Sequence, residues 1–322
     1  MKLLLILLIT STHLYSQQSY IDYASPYHPV VGNSGMVASQ NILSSQIGIE
    51  ILNKGGNAVD AAVAVGFSLA ITLPRAGNLG GGGFMMVYIK ERDEVFYIDY
   101  RSRSPLNSNI RNLFNLRNNA KDTAPIKFSN SKFDIVRYGY HAPATPGTVA
   151  GLLDAHANFG SLPLEEVLSP VINQAANGIL VSYDLHKAIE SSEQLKNDPE
   201  SKKIYFIDDK PLPENYLMKR PDLAKTIRLI SQKGKDGFYK GEIADKFIDA
   251  MNINDGLFKH EDLTSYEAKI KLPIIGSYRG NTILTAGPPS GGGITLITAL
   301  NVLSFFDLKK YKSNSIYTYH LL

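Results

Sequence analysis

The sequence predicts a layered domain of the α/β or α+β class, and two neighbouring segments carry this prediction. Residues 58–73 are almost wholly apolar, and a helix that is apolar on every side belongs inside a multilayer protein, packed against a sheet. Residues 84–101 contain two short β-favouring runs around the charged turn Glu91–Glu94, which is the pattern of a β-hairpin. Helices buried against short strand pairs build a layered domain of this kind.

The N-terminus has the pattern of a secretory signal peptide. Met1 and Lys2 form a short basic region, Leu3–Ile9 is apolar, and the polar run Ser16–Gln18 lies beyond it. The apolar region is shorter than the ~20 residues that span a membrane. The sequence therefore predicts a signal peptide over 1–18 and an exported mature chain over 19–322, located in the periplasm or outside the cell.

Two helices are predicted before the hairpin. Apolar residues recur at helical spacing over 40–54, and Gly55 ends this helix. Asn57 has the side chain to cap the apolar helix over 58–73, which Pro74 ends. The hairpin follows directly, so helix and sheet are joined by a short loop.

Beyond the hairpin the patterns are mainly helical. Residues 106–137 are rich in Asn, Ser and Lys without a clear period, which is typical of a surface excursion. No linker or fixed repeat divides the chain. Helical patterns cover 148–158, 163–177, 183–195, 221–233, 241–251 and 294–305, and strand patterns cover 271–278 and 281–285.

Four consecutive glycines, Gly80–Gly83, separate the apolar helix from the hairpin. Only glycine accepts positive φ and close chain approach without penalty, so another part of the chain is expected to pass close to this loop. Glycine loops that bind phosphate open a helix, whose N-terminal N–H groups hold the anion. Because this loop opens a strand instead, we interpret it as a packing loop.

Composition excludes several classes of protein. The chain has 0 cysteines, so it has no disulfide, thiol nucleophile or thiolate metal site. A formal net charge of +3, with basic residues scattered among acidic ones, does not indicate nucleic-acid binding. His260–Glu261 lacks the second histidine of a zinc helix, and Ser290 lacks the glycine spacing of a nucleophile elbow. We therefore expect no metal, no cofactor and no nucleic-acid partner.

Arg101 is the candidate binding residue. The strand period of two places Val95, Tyr97, Asp99 and Arg101 on one face of the second strand. An arginine at a strand end offers a planar fork of donors that matches a carboxylate bidentately. The residues alone leave open whether Arg101 binds a ligand, pairs with Asp99 or lies on a solvated edge.

Five sequence blocks carry a family resemblance. They are Gly56–Ala64, Ala76–Phe84, Asp99–Arg101, Thr145–Gly151 and Pro288–Gly292. In this order they resemble the γ-glutamyltranspeptidase family, and five ordered blocks are far more specific than one glycine motif. The resemblance implies an α+β fold of the N-terminal nucleophile hydrolase type, an αββα sandwich with two central antiparallel sheets, of which this chain supplies the large-subunit part.

The resemblance also implies the chemistry. Members of the family are precursors that cut themselves into a large and a small subunit, and the N-terminal threonine of the small subunit is the nucleophile. By family order this threonine lies beyond Leu322, so no catalytic residue is expected in this chain. The implied partners are glutathione and other γ-glutamyl compounds, amino-acid or peptide acceptors, and the small subunit of the same precursor, which completes a heterodimer. No cofactor is implied.

By the resemblance, Arg101 matches the family arginine that binds the α-carboxylate of the γ-glutamyl group. The family usually has an acid directly after this arginine, whereas this chain has Ser102 followed by Arg103. That departure is expected to alter the charge balance beside Arg101 and hence substrate affinity.

Three other readings compete with a γ-glutamyltransferase. A related β-lactam side-chain acylase would share the fold, but Arg101 favours an α-amino acid substrate. An exported solute-binding protein would have the right length, but the glycine loop that opens a strand argues against it. An inactive, truncated remnant is the third, and we expect the chain by itself to be inactive and poorly soluble.

Overall fold

The computed structural model describes residues 30–108, 138–312 and 314–321 of the 322-residue chain. The chain divides into two units, Met1–Met36 and Val37–Leu322. In the first unit the described residues, 30–36, form no helix or strand. The predicted signal peptide over 1–18 and most of the predicted surface excursion over 106–137 lie outside the described residues.

The second unit begins with two helices, α1 (Ile42–Asn53) and α2 (Ala58–Thr72). The predicted cap of α2 is confirmed, because the Asn57 side chain accepts hydrogen bonds from the N–H groups of Val59 and Asp60. Asp60 in turn accepts the Asn57 N–H, which completes a capping box. The apolar length of α2 therefore starts at a defined residue.

The predicted hairpin is confirmed as strands β1 (Gly83–Ile89) and β2 (Glu94–Tyr100). They pair antiparallel, with Gly83 opposite Tyr100 and Ile89 opposite Glu94. Helices from other parts of the chain form the layer that covers this hairpin.

The remaining elements follow in chain order. The helices are α3 (Thr148–Phe159), α4 (Leu164–Asn177), α5 (Tyr183–Glu190), α6 (Glu193–Asn197), α7 (Pro199–Tyr205), α8 (Pro221–Lys233), α9 (Asp236–Tyr239), α10 (Gly241–Ile253), α11 (His260–Thr264), α12 (Gly291–Leu303) and α13 (Ile316–Leu321). The strands are β3 (Ile179–Leu180), β4 (Phe206–Ile207), β5 (Lys210–Pro211), β6 (Leu217–Met218), β7 (Lys269–Lys271), β8 (Ile274–Tyr278) and β9 (Asn281–Thr285).

Two predicted elements are split in the structure. The helix predicted over 183–195 is two helices, α5 and α6, because the Ser192 hydroxyl accepts the Leu195 N–H and so starts a new helix. The strand predicted over 271–278 is divided at Pro273, which has no N–H to donate. Its two parts, β7 and β8, belong to different sheets.

The central sheet has the order β1–β2–β7, and a second antiparallel pair is formed by β8 and β9. On β7, Lys269 lies opposite Asp99 and Lys271 lies opposite Tyr97. Helix α3 packs on β1 and β2, and α2 packs on α3 as well as on α1 and α4. The buried apolar core joins these layers, so α2 is enclosed chiefly by helices, whereas the sequence predicted a sheet as its partner.

The β8–β9 pair and α12 carry an exposed apolar surface. Helix α12 packs on β8, yet Gly293 is its only fully buried residue among those described. Exposed large apolar side chains lie in two groups, on α12 and on the face of the β8–β9 pair that is turned away from α12. We name the two groups together the α12 surface: Ile294, Leu296 and Val302 on the helix, and Ile275 and Leu284 on the strands. Within the described ranges, no helix is both long and apolar enough to cross a membrane.

Candidate functional site

The end of strand β2 places a buried carboxylate beside an exposed arginine. Asp99 is only 7% exposed, and its Oδ1 accepts the backbone N–H of Arg101 at 3.1 Å. Its Oδ2 accepts the ammonium of Lys271, on β7, at 2.6 Å. Both oxygens of the carboxylate are therefore engaged, one by the main chain of Arg101 and one by Lys271.

The Arg101 side chain is exposed and does not pair with Asp99. Its guanidinium donates no hydrogen bond to any residue in the described part of the chain and forms no ion pair there. This arrangement answers one alternative left open by the sequence, because Lys271 takes the place at Asp99 that Arg101 could have occupied. The planar donor fork of Arg101 is available to a carboxylate.

The glycine loop packs against the same strand end. A Cβ at Gly82 would lie 2.7 Å from the carbonyl oxygen of Tyr100, and one at Gly83 would lie 2.8 Å from the Tyr100 ring. The predicted close approach is confirmed. Positive φ is not the reason for the glycines, since none of Gly80–Gly83 has a positive φ.

The start of helix α3 closes on this loop. The carbonyl of Gly81 accepts the N–H groups of Gly147 at 2.7 Å and Thr148 at 3.0 Å. A Cβ at Gly147 would overlap the carbonyl oxygen of Tyr100. Three of the sequence blocks, around Gly81, Tyr100 and Gly147, thus meet through backbone contacts that leave no room for side chains.

Two buried tyrosines, Tyr266 and Tyr239, donate hydrogen bonds to the main chain at the end of β2 and just before α3. The Tyr266 hydroxyl donates to the Arg101 carbonyl at 2.9 Å, and the guanidinium of Arg103 lies 5.0 Å from the Tyr266 ring centre. Tyr239 stacks on Tyr266, with ring centres 6.0 Å apart, and donates to the Pro146 carbonyl at 2.8 Å. Burial raises the pKa of Tyr266 to about 12 and raises that of Tyr239 as well, so both hydroxyls remain donors at neutral pH.

The block Pro288–Gly292 also reaches this place. Lys271 donates a second hydrogen bond to the Pro288 carbonyl at 3.2 Å, and the Tyr97 hydroxyl donates to the Gly287 carbonyl at 3.1 Å. Burial raises the pKa of Tyr97 to about 12, and the neighbouring Asp99 adds to this. Ser290 is the residue before α12, so it belongs to a loop, as the sequence indicated.

The block Gly56–Ala64 has a structural task. Asp60 is fully buried and accepts the N–H groups of Ser161 at 3.0 Å and Leu162 at 3.3 Å. It thereby ties the start of α2 to the loop between α3 and α4. In the described ranges, no three His, Asp or Glu side chains come close enough to hold a metal ion.

Sequence reasoning singled out Arg101 and the glycine loop, but not Lys271, Tyr239 and Tyr266, which the structure places beside them. Lys271 and Asp99 are 172 residues apart in the chain, and Tyr266 and Arg101 are 165 apart. The short β-favouring run at Lys269–Lys271 was the available signal for a third strand beside β2.

The fold is of the N-terminal nucleophile hydrolase type, as its similarity to solved structures shows. The crystal structure of Helicobacter pylori γ-glutamyltranspeptidase superposes with a TM-score of 0.82 at 34% sequence identity, over 91% of this chain and 81% of that chain. Residues 44–322 match the family model described as gamma-glutamyltranspeptidase. The chain belongs to the γ-glutamyltranspeptidase family.

Two of the curated relatives that the chain resembles carry different names, glutathione hydrolase and acylase. The glutathione hydrolase proenzyme of Escherichia coli (strain K12) is 40% identical over 287 residues, covering 88% of this chain and 47% of that protein. The acylase ACY 1 proenzyme of Pseudomonas sp. (strain SE83) is 32% identical over 302 residues, covering 94% of this chain and 53% of that protein. The chain spans about half the length of the curated relatives it matches.

Proposed function

We propose that residues 19–322 are the large-subunit part of an exported γ-glutamyltransferase, which follows a signal peptide over 1–18. The enzyme cleaves the γ-glutamyl amide of glutathione and related compounds and passes the acyl group to water, an amino acid or a peptide. A small subunit, cut from the same precursor, supplies the threonine nucleophile. The similarity to the glutathione hydrolase proenzyme of Escherichia coli, at 40% identity, supports this assignment.

The observation that carries the proposal is the state of Arg101. Its guanidinium is exposed, and the neighbouring Asp99 is occupied by Lys271. Charge-assisted hydrogen bonds are roughly twice as strong as neutral ones, and a bidentate pair also fixes orientation. Arg101 therefore suits the α-carboxylate of a γ-glutamyl group, which it would hold with the γ-amide directed away from the strand end.

The chemical step belongs to the small subunit. The threonine hydroxyl adds to the γ-carbonyl carbon while its own α-amine takes the proton. The amide C–N bond then breaks, the amine leaves with that proton, and a γ-glutamyl ester remains on the threonine. Water or an amino group next attacks the ester carbonyl and releases the threonine hydroxyl. In this scheme the present chain binds and orients the substrate.

The α12 surface supports the two-subunit assignment. Ile275 is 69% exposed, Leu284 is exposed opposite it on β9, and α12 exposes Ile294, Leu296 and Val302. Clusters of exposed apolar side chains are typical of an interaction site. The curated relatives are about twice as long as this chain, so a small-subunit part of comparable size would be available to cover it.

A related acylase is the second candidate, since the acylase ACY 1 proenzyme is 32% identical, and a β-lactam side-chain acylase is the alternative that the sequence left open. The two candidates differ in what Arg101 would bind. A γ-glutamyl substrate presents an α-carboxylate, and replacement of that carboxylate by an amide removes the charge that the guanidinium pairs with.

The test uses the enzyme expressed from the complete reading frame that encodes this chain. We expect hydrolysis of a γ-glutamyl anilide, inhibited competitively by L-glutamate and far less by L-isoglutamine, its α-carboxamide. Equal inhibition by the two compounds would contradict the role of Arg101. Turnover of a β-lactam side-chain amide without turnover of the γ-glutamyl anilide would favour the acylase.

A further inference from the structure

We propose that Lys271 is a positioning residue for the substrate: by occupying Asp99, it keeps that carboxylate from competing with the substrate for Arg101. The inference rests on the proposed function, because it concerns how Arg101 stays available. It adds a residue from β7 to a site that the sequence had located only on β2.

The geometry makes Asp99 the natural competitor. Asp99 and Arg101 are two residues apart, the spacing that places side chains on one face of an extended chain. The Asp99 carboxylate already holds the Arg101 main chain through the N–H at 3.1 Å. A buried carboxylate without a partner is strongly unfavourable, so Asp99 is expected to pair with a cation. The Arg101 guanidinium would be the cation nearest in sequence.

Lys271 prevents an Asp99–Arg101 pair, because its side chain extends diagonally from β7 to the Asp99 carboxylate on β2. In the register, Lys269 and not Lys271 lies directly opposite Asp99. Lys271 nevertheless makes the contact, at 2.6 Å from Asp99 Oδ2. Its second hydrogen bond to the Pro288 carbonyl holds the ammonium in place. The lysine side chain is 35% exposed, whereas that of Asp99 is 9% exposed, so the pair lies at the boundary between core and site.

A purely structural ion pair predicts a different outcome. It would stabilise the fold when present, and removal of both partners would not restore substrate affinity. In the competition scheme, Lys271→Met releases Asp99 to capture Arg101, and an added Asp99→Asn removes the competitor. The amide introduced by Asp99→Asn would still offer an oxygen to the Arg101 N–H. The double variant is therefore expected to regain affinity that the single variant loses.

The experiment measures KM and kcat for a γ-glutamyl anilide in the complete enzyme, together with competitive inhibition by L-glutamate and L-isoglutamine. We expect Lys271→Met to raise KM about tenfold and to change kcat much less, because uniform binding is lost. The preference for L-glutamate over L-isoglutamine should fall in parallel. Lys271→Arg should retain most of the substrate affinity. The double variant, Asp99→Asn together with Lys271→Met, should have a lower KM than Lys271→Met alone.

Lys269→Met is the matched control. It removes the same side chain from the same strand and face, and within the described residues Lys269 has no ion pair. Its KM should equal that of the unchanged enzyme. If Lys271→Met gives no folded enzyme, Lys271→Gln replaces it with the same expectations, since glutamine keeps donors but lacks the charge.

Two results would overturn the inference. One is a KM for the Lys271 variant equal to that of Lys269→Met. The other is a double variant as impaired as the single one, which would indicate a structural pair. Arg101→Lys separates these results from failure of the proposed function: a raised KM in that variant leaves the function standing. Absence of γ-glutamyl turnover in the unchanged enzyme would remove the function itself.

Discussion

At the scale of single residues, the state of Arg101 depends on what surrounds its main chain. Its N–H donates to Asp99 and its carbonyl accepts from Tyr266. Both backbone groups are fixed, so the direction of the side chain from the strand end is defined while its guanidinium is exposed. Under the proposed function, this arrangement orients the arginine that binds the substrate carboxylate.

The first prediction concerns Arg101→Lys in the complete enzyme. Lysine keeps the charge but loses the planar fork, so KM for a γ-glutamyl anilide should rise. A hydrogen bond to a charged group contributes about 1.5–3 kcal/mol, which corresponds to a rise of roughly tenfold to a hundredfold. Arg92→Lys, an exposed arginine in the hairpin turn that pairs with Glu94, is the control. Unchanged kinetics in Arg101→Lys would remove its assigned role.

The second prediction concerns alkaline stability. Burial raises the pKa of Tyr97 and of Tyr266 from 10.0 to about 12. In the unfolded chain these phenols lose their protons at lower pH than in the folded protein. Their contribution to stability is therefore complete below pH 10 and is lost as pH rises from 10 to about 12.

Urea unfolding of the complete enzyme at a series of alkaline pH values measures this effect. Tyr266→Phe should flatten the fall in unfolding free energy above about pH 10, since phenylalanine has no proton to lose. Tyr317→Phe changes an exposed tyrosine and should leave the slope as it was. A slope that is the same in all three proteins would show that Tyr266 does not ionise at unusually high pH.

The same residues show what sequence could and could not predict. The strand period and the Asp-Tyr-Arg block placed Arg101 at a strand end, because that information is local. Lys271 and Tyr266 reach the site only when β7 pairs with β2, and no local pattern encodes which strand is the third. In a chain with 18 tyrosines, nothing distinguished Tyr239 or Tyr266 before the fold was known.

At the scale of elements, the glycine loop sets how closely β1, β2 and α3 approach. Gly82 contacts the backbone at Tyr100, where no side chain can move aside. By contrast, a Cβ at Gly80 would meet only Asn78 Oδ1, at 3.5 Å, which is ordinary van der Waals contact. The packing around Gly82 therefore excludes a side chain, whereas the packing around Gly80 leaves room for a methyl group.

The third prediction follows from this difference. Gly82→Ala should destabilise the complete enzyme, because overpacking against fixed atoms costs about 1–3 kcal/mol, and it should also raise KM by displacing the end of β2. Gly80→Ala, the matched control, should be close to neutral in both. Urea denaturation and anilide kinetics measure the two effects. Equal stability of the two variants would contradict a packing role for Gly82.

Element boundaries were predictable where caps and breakers are local. Asn57 marked the start of α2, and the hairpin turn was charged, so both were placed within a residue or two of their observed ends. Ser192 and Pro273 divided elements that the hydrophobic pattern had joined, since one capping serine or one missing N–H outweighs a continuous pattern.

At the scale of the whole molecule, the α12 surface is the feature that this chain does not itself cover. Helix α12 is apolar along its length, and the sequence pattern correctly indicated a helix there. An apolar helix belongs in an interior, yet its side chains Ile294, Leu296 and Val302 are exposed. The conflict is resolved if the small-subunit part of the enzyme covers this surface.

The last prediction tests that cover. Residues 19–322 alone should aggregate, bind a hydrophobic dye and show no γ-glutamyl turnover, because the surface is exposed and the proposed function assigns the nucleophile to a second subunit. In the complete enzyme, Ile275→Glu should weaken the pairing of the subunits, since a carboxylate buried in an apolar interface lacks a partner. Gel filtration and subunit co-purification measure whether the two subunits remain paired.

Ile253→Glu is its control: Ile253, at the end of α10, is 81% exposed, compared with 69% for Ile275, but it is not part of the α12 surface. A glutamate there should leave subunit pairing intact, so loss of pairing specific to Ile275→Glu would assign the interface to the exposed face of the β8–β9 pair. Equal pairing in both variants would mean that the second subunit covers another face. Turnover by residues 19–322 alone would show that the nucleophile is within this chain.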